Sequence, residues 1–401
     1  MPGVLHGART GVEVLRDLRT VDGAAAIEWG NRSTGGVAAL SSRVLPFVVL
    51  CVVACAPPPP PVTAPPIGNA TLASARAWPI KTREHVDLWL HGFAMIADDS
   101  AAVPLFRRGY RDAMTVTKNA RNVLTQLDER RAELARGYRA SPSYQAAQFI
   151  PLYFGSQAEL AAAVQIFLAS NGAAQRASTQ EGAAIIGLFS AAFPKDADRA
   201  WFKSFWEALL DEQSRFYHDW WTTEQRQRIP ALAAADSVWQ RVRPRIQSFL
   251  GGTKQGTGDM VLSLPIGGEG RTVNGGRTVV IAVTFPERAT AAEEATYVLV
   301  HEAAGALAVS EVGDQTSPAD KRNGVADRMV AAASVRAGAL VLQKGAPELA
   351  EGYARYYLEA AHVAWKTQGG SAIAALERAF PIPAAVRDGM RRQIDILFGG
   401  I

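Results

Sequence analysis

The sequence predicts a mainly helical protein with a small β-sheet, an α+β fold. Three observations carry that expectation. Between residue 84 and about 253, apolar residues recur at three- and four-residue steps in segments punctuated by Pro151, Pro194, Pro230 and Pro244. At Gly251 the pattern changes: residues 259–264 and 277–285, the second rich in β-branched side chains, read as strands, with a hairpin signal at Asn274-Gly275. After Phe285 helical periodicity returns and continues to the end of the chain.

Taken in order, residues 85–98 form the first expected helix, apolar at Val86, Leu88, Trp89, Phe93 and Ile96 and broken by Asp98-Asp99-Ser100. Residues 104–138 read as one long helical stretch through Tyr110, Met114, Val123, Leu127 and Leu134. Helices follow over 157–168, 180–193, 197–221 and 229–250, with Trp201, Trp206, Trp220 and Trp221 expected to fill the core. His218, inside the run Phe216-Tyr-His-Asp-Trp-Trp221, reads as a packed core residue. After the strands, Thr290-Ala-Ala-Glu293 is a capping box, in which a hydroxyl and a carboxylate satisfy the first orphan amides of a helix over about 291–309. Residues 318–342, 347–364, 371–380 and 384–397 complete the helical set.

The chain has 401 residues, 48% hydrophobic and 20% charged, enough for one large domain or two smaller ones. A net charge of +4 with scattered basic residues gives nucleic-acid binding no support. Both cysteines, Cys51 and Cys55, precede the folded region, so it holds no disulfide and no thiolate metal site.

Those cysteines sit in an apolar run, residues 44–54, that follows Arg43. Its length suits the apolar core of a signal peptide and is too short for a spanning helix. It ends Val52-Val-Ala-Cys55, which resembles a bacterial lipobox, and the resemblance implies lipidation of Cys55 and anchoring to a membrane in the cell envelope. Pro57 to Pro61 and Pro65-Pro66 follow, a stiff tether between anchor and domain. The expected organisation is residues 1–36 untranslated or disordered, a lipoprotein signal peptide over 37–55, a Pro-rich tether over 56–83, a helical region over 84–253 and a second region over 254–401.

The segment that suggests chemistry lies in that second region, Tyr297-Val-Leu-Val-His-Glu-Ala-Ala-Gly305. His301-Glu302 resembles the opening of the H-E-x-x-H helix of zinc metallopeptidases. Two histidines four apart share one helix face, about 6 Å apart along the axis, and can grip one zinc while the glutamate activates its water. Here Gly305, which has no ligating side chain, occupies the second histidine's place. Glu351-Gly-Tyr-Ala354 is similar to the later-helix segment that supplies the third ligand in gluzincins. The resemblance covers about residues 277–366 and implies a zincin-like core, with His301 and Glu351 as metal ligands and Glu302 as general base. Loss of the second histidine implies weak zinc binding or none, and an impaired enzyme that binds a peptide or protein or serves as a scaffold. The alternatives are an active hydrolase with Glu351 or His362 as replacement ligand, and a helical envelope lipoprotein without metal. Beside these, His301 also reads as a satisfied core histidine and Glu351 as a first-turn carboxylate complementing the dipole of its own helix.

Overall fold

The computed structural model describes residues 78–98, 101–274, 279–365 and 370–399. The expected signal peptide, Cys55 and most of the tether lie outside the described residues. The fold is mainly helical with one mixed four-stranded sheet, as the periodicities predict.

The sheet comprises β1 (Ile80–Thr82), β2 (Gly258–Ser263), β3 (Arg271–Asn274) and β4 (Val279–Thr284), in the order β1-β2-β4-β3. β1 and β4 flank β2 in parallel, with Met260 opposite both Ile80 and Ile281. β3 pairs antiparallel with β4, Thr272 opposite Ile281, which fits the Asn274-Gly275 turn signal. Every residue of β2 and β4 is buried, as befits central strands covered on both faces.

Residues 78–82, expected as the end of the tether, belong to the fold. Trp78 is fully buried, meets Trp239 edge-on at 6.1 Å and donates its indole N–H to the Gln255 carbonyl at 3.1 Å.

The helices before β2 are α1 (Glu84–Ile96), α2 (Tyr110–Ala120), α3 (Gln126–Glu129), α4 (Arg131–Ala140), α5 (Gln157–Ser170), α6 (Gln180–Ala192), α7 (Asp196–Glu212), α8 (His218–Gln227) and α9 (Ile229–Gly252). The long helix expected over 104–138 is three helices instead. Asn122 adopts a left-handed conformation (φ 52°), and Thr125 with Asp128 forms a capping box that starts a new helix. A 3-10 segment at Pro142–Tyr153 and a π-helical turn at Gln213–Tyr217, joining α7 to α8, have no counterpart in the expected pattern. Trp206 and Trp220 are buried, and Trp89 packs among Phe202, Phe205 and Trp206 at 5.9–6.1 Å.

Beyond β4 come α10 (Glu293–Gln315), α11 (Pro318–Arg322), α12 (Val325–Gly345), α13 (Pro347–Ala360), α14 (Ala372–Ala379) and α15 (Ala384–Gly399). The helix expected over 318–342 is divided at Gly324, whose φ of 67° ends α11 and starts α12. α10 packs on β4 and along α12, and one apolar core runs through both expected regions. Among the described residues, no helix is long and apolar enough to cross a membrane.

Candidate functional site

α10 presents His301 and Glu302, and its start differs from the expectation. A 3-10 turn, Ala289–Ala291, precedes the helix, no side chain caps it, and Glu293 accepts the Tyr297 hydroxyl at 2.5 Å instead of closing a box with Thr290. The helix also outlasts Val309 by six residues, to Gln315.

Glu302 is held from three directions. Oε1 accepts the Gly270 backbone N–H at 3.1 Å and faces Nδ1 of His301 at 3.3 Å, and Oε2 accepts the Thr272 hydroxyl at 3.1 Å. Burial disfavours its charge, but His301, the Arg271 guanidinium and the Gly270 amide outweigh that and hold the carboxyl below its ordinary value. The glutamate thus fastens α10 to the edge strand β3. Gly270 is required for this approach: a Cβ there would lie 2.6 Å from both the Ala282 carbonyl oxygen and the Glu302 side chain.

His301 is 6% exposed, its ring stacked on Tyr357 of α13 at 5.2 Å and 22°. Tyr357 and Tyr356 in turn donate their hydroxyls to the carbonyls of Gly268 and Gly267, each at 3.0 Å. Two tyrosines of α13 therefore fix the glycine loop that leads into β3 and presents Gly270 to Glu302. Gly352, one turn earlier, leaves room for Tyr297, whose hydroxyl oxygen would lie 2.1 Å from a Cβ there.

Glu351 is turned to another task. Its Oε2 accepts the backbone N–H of Ala372, the first residue of α14, at 2.9 Å. It precedes Tyr357 by six residues, which places it about 120° away around the helix and ~9 Å along it. The carboxylate therefore complements the dipole of the following helix, not of its own. His362 lies just past the end of α13 in a left-handed conformation (φ 54°), its backbone N–H on the Glu359 carbonyl.

Zinc does not fit these residues. Gly305 contributes no donor, Glu351 is engaged at the start of α14, and Glu302 already accepts from Gly270 and Thr272. Among the described residues, no three His, Cys, Asp or Glu side chains form a group that could hold a metal ion.

The other histidines of the described residues before α10 are engaged elsewhere. His85 contacts the Phe154 carbonyl at 3.0 Å. His91 lies between the Tyr110 hydroxyl at 3.0 Å and Glu212 at 3.1 Å. His218 is not the packed residue the sequence suggests: it is exposed and pairs with Glu84 at 3.0 Å.

Sequence reasoning did not connect Gly270 or Thr272 with Glu302: the Gly267-Gly-Glu-Gly270 run reads there only as a loop, and Tyr357 only as a packing residue. No protein-family model, no curated protein and no solved structure matches the chain.

Proposed function

We propose that the chain is a lipid-anchored protein of the bacterial cell envelope, whose core keeps a metallopeptidase-like arrangement without its chemistry and acts by binding a peptide or protein. Glu302 carries this reading. A general base in metal-assisted hydrolysis needs a lone pair facing a water that a metal has acidified. Glu302 instead accepts bonds from Gly270 and Thr272 on the edge strand and contacts His301. The likeness to a zincin rests on the order of strand, helix and His-Glu pair. Anchoring rests on Arg43, the apolar run, Ala54-Cys55 and the proline tether.

Elemental analysis of the purified wild-type protein is expected to find no stoichiometric zinc and no peptide hydrolysis. One zinc per chain, with hydrolysis abolished by Glu302→Gln, would overturn the loss of chemistry. Gly305→His tests the lineage: the nearest atom to a Cβ at 305, apart from the helix itself, is the Ser334 hydroxyl at 3.9 Å, so a Cβ there meets no clash. Zinc binding gained by that variant supports an inherited site; no gain argues against one. Mass spectrometry of the mature N-terminus tests the anchor, with an acylated Cys55 expected and release of Cys55→Ser from the membrane fraction.

A further inference from the structure

Away from His301, the carboxyl end of α1, the segment before α2, and α4 border two adjoining cavities that are open to solvent. The first, of about 310 Å³, is lined by Arg107, Arg108 and Arg111; the second, of about 410 Å³, by Arg111, Arg131 and Arg139. They share Arg111, Asp98 and Asp112, so five arginines face two aspartates. These volumes lie in the range of small-molecule sites.

The arginines are incompletely matched. Arg111 and Arg139 both pair with Asp98, at 3.3 and 2.7 Å. Arg108 donates to the carbonyls of Ala101, Ala102 and Ala360, which fix the guanidinium without neutralising it. The Arg131 side chain has no hydrogen-bond or ion-pair partner among the described residues. Arg107 reaches away, to Thr284 at 2.8 Å, Glu287 at 3.2 Å and the Phe285 carbonyl, so it contributes charge at the rim and not a donor aimed inward.

The backbone adds to the same field. Gly109, Tyr110, Arg111 and Asp112 all line the first cavity, so the first turn of α2 forms its wall. Gly109 is the N-cap at φ 73°, and no side chain caps the helix. The Tyr110 amide already donates to the Arg107 carbonyl at 3.1 Å and Asp112 lies in the first turn, so the positive end of the dipole adds a modest attraction to the arginine charge.

We propose that these joined cavities bind a phosphate group, free or as part of a small molecule or lipid headgroup. Arginine forks match the tetrahedral oxyanion through paired N–H donors, and Arg108 and Arg131, which pair with no carboxylate among the described residues, supply the counter-charge. Arg111, common to both cavities, is the pivot: on anion binding its contact with Asp98 is exchanged for one with phosphate. The site shares no residue with the His301–Glu302 pair, so it stands or falls independently of the proposed loss of hydrolysis.

Calorimetry with inorganic phosphate and pyrophosphate, at constant ionic strength against chloride, tests the proposal on the purified chain. The expected result is saturable binding with Kd below about 1 mM. Arg111→Gln should weaken it by about tenfold or more. Arg131→Gln should also weaken it, and because that side chain has no bond to lose among the described residues, an unchanged thermal midpoint should accompany the weaker binding. A second arm uses the Cys55→Ser chain with vesicles of phosphatidylcholine, alone or with phosphatidylglycerol. Recruitment to the anionic vesicles, reversed by pyrophosphate, identifies a headgroup as the source; binding of soluble phosphate without recruitment identifies a free one. Absence of saturable binding in both arms, or binding unchanged by both arginine substitutions, would overturn the proposal.

Discussion

The carboxylate of Glu351 accepts the backbone N–H of Ala372 at 2.9 Å, so a residue expected to face a metal instead secures the start of α14. The Ser371 hydroxyl accepts the Ala374 N–H at 3.1 Å, and together the two oxygens satisfy two of that helix's first amides. Glu351→Ala should therefore lower stability by about 1 kcal/mol, read as a fall in the urea midpoint, and leave zinc content unchanged. A ligand role would reverse that pattern, with metal lost and the midpoint little altered.

Gly270→Ala should destabilise the protein by about 1–3 kcal/mol, because the new methyl meets the Ala282 carbonyl and Glu302 at once. Gly305→Ala, with the nearest atom 3.9 Å from the new Cβ, should leave stability unchanged or raise it by up to about 1 kcal/mol through helix propensity. Thermal unfolding of the two variants side by side checks both.

Asp87 makes stability depend on pH near neutrality. Burial raises its carboxyl to about 7 from 3.8, and hydrogen bonds from Trp221 and the Leu264 amide offset only part of that. The folded state therefore holds the proton more tightly than the unfolded chain. This stabilisation is complete below pH 3.8 and is lost as pH rises through about 7, at up to about 1.4 kcal/mol per unit. Asp87→Asn should remove that slope from unfolding measured between pH 5 and pH 8.

Glu212 acts in the opposite sense at acid pH. Burial opposes its charge, but His91 and Lys118 outweigh it and bring the carboxyl down to about 2 from 4.5. Its stabilisation is present above pH 4.5 and disappears as pH falls toward 2. Lys118 lies 2.7 Å from it, 1% exposed, and also bonds Thr125 at 2.9 Å. Lys118→Ala should cost about 3–5 kcal/mol by leaving a buried carboxylate short of its cation, and Lys118→Met with Glu212→Leu should recover much of that. A double-mutant cycle in urea measures the coupling.

How much of this was legible follows the range of each interaction. The helices and the strand ending at Thr284 declare themselves through local periodicity. β1 does not: three residues beside Pro79 acquire strand geometry only by pairing with β2, some 180 positions later. The break at Asn122 depends on a left-handed backbone that asparagine tolerates but does not impose. His301 and Glu302 could be found as a pair, whereas Gly270, Thr272 and Tyr357 reach them across the fold. The sequence offered Glu351 two roles, metal ligand and partner of its own helix dipole; the bond it makes, to the first amide of the following helix, was neither, because it depends on where α14 is placed by the fold.

The seating of Trp78 has a mechanical consequence. Its indole is locked between Trp239 and the Gln255 carbonyl, immediately before a strand parallel to β2. Tension arriving from the N-terminal side would load the β1–β2 bonds together, in shear, after first having to extract that ring. Force applied at that end of β1 would meet its resistance at this ring, and Trp78→Ala should lower the force at which the strand yields.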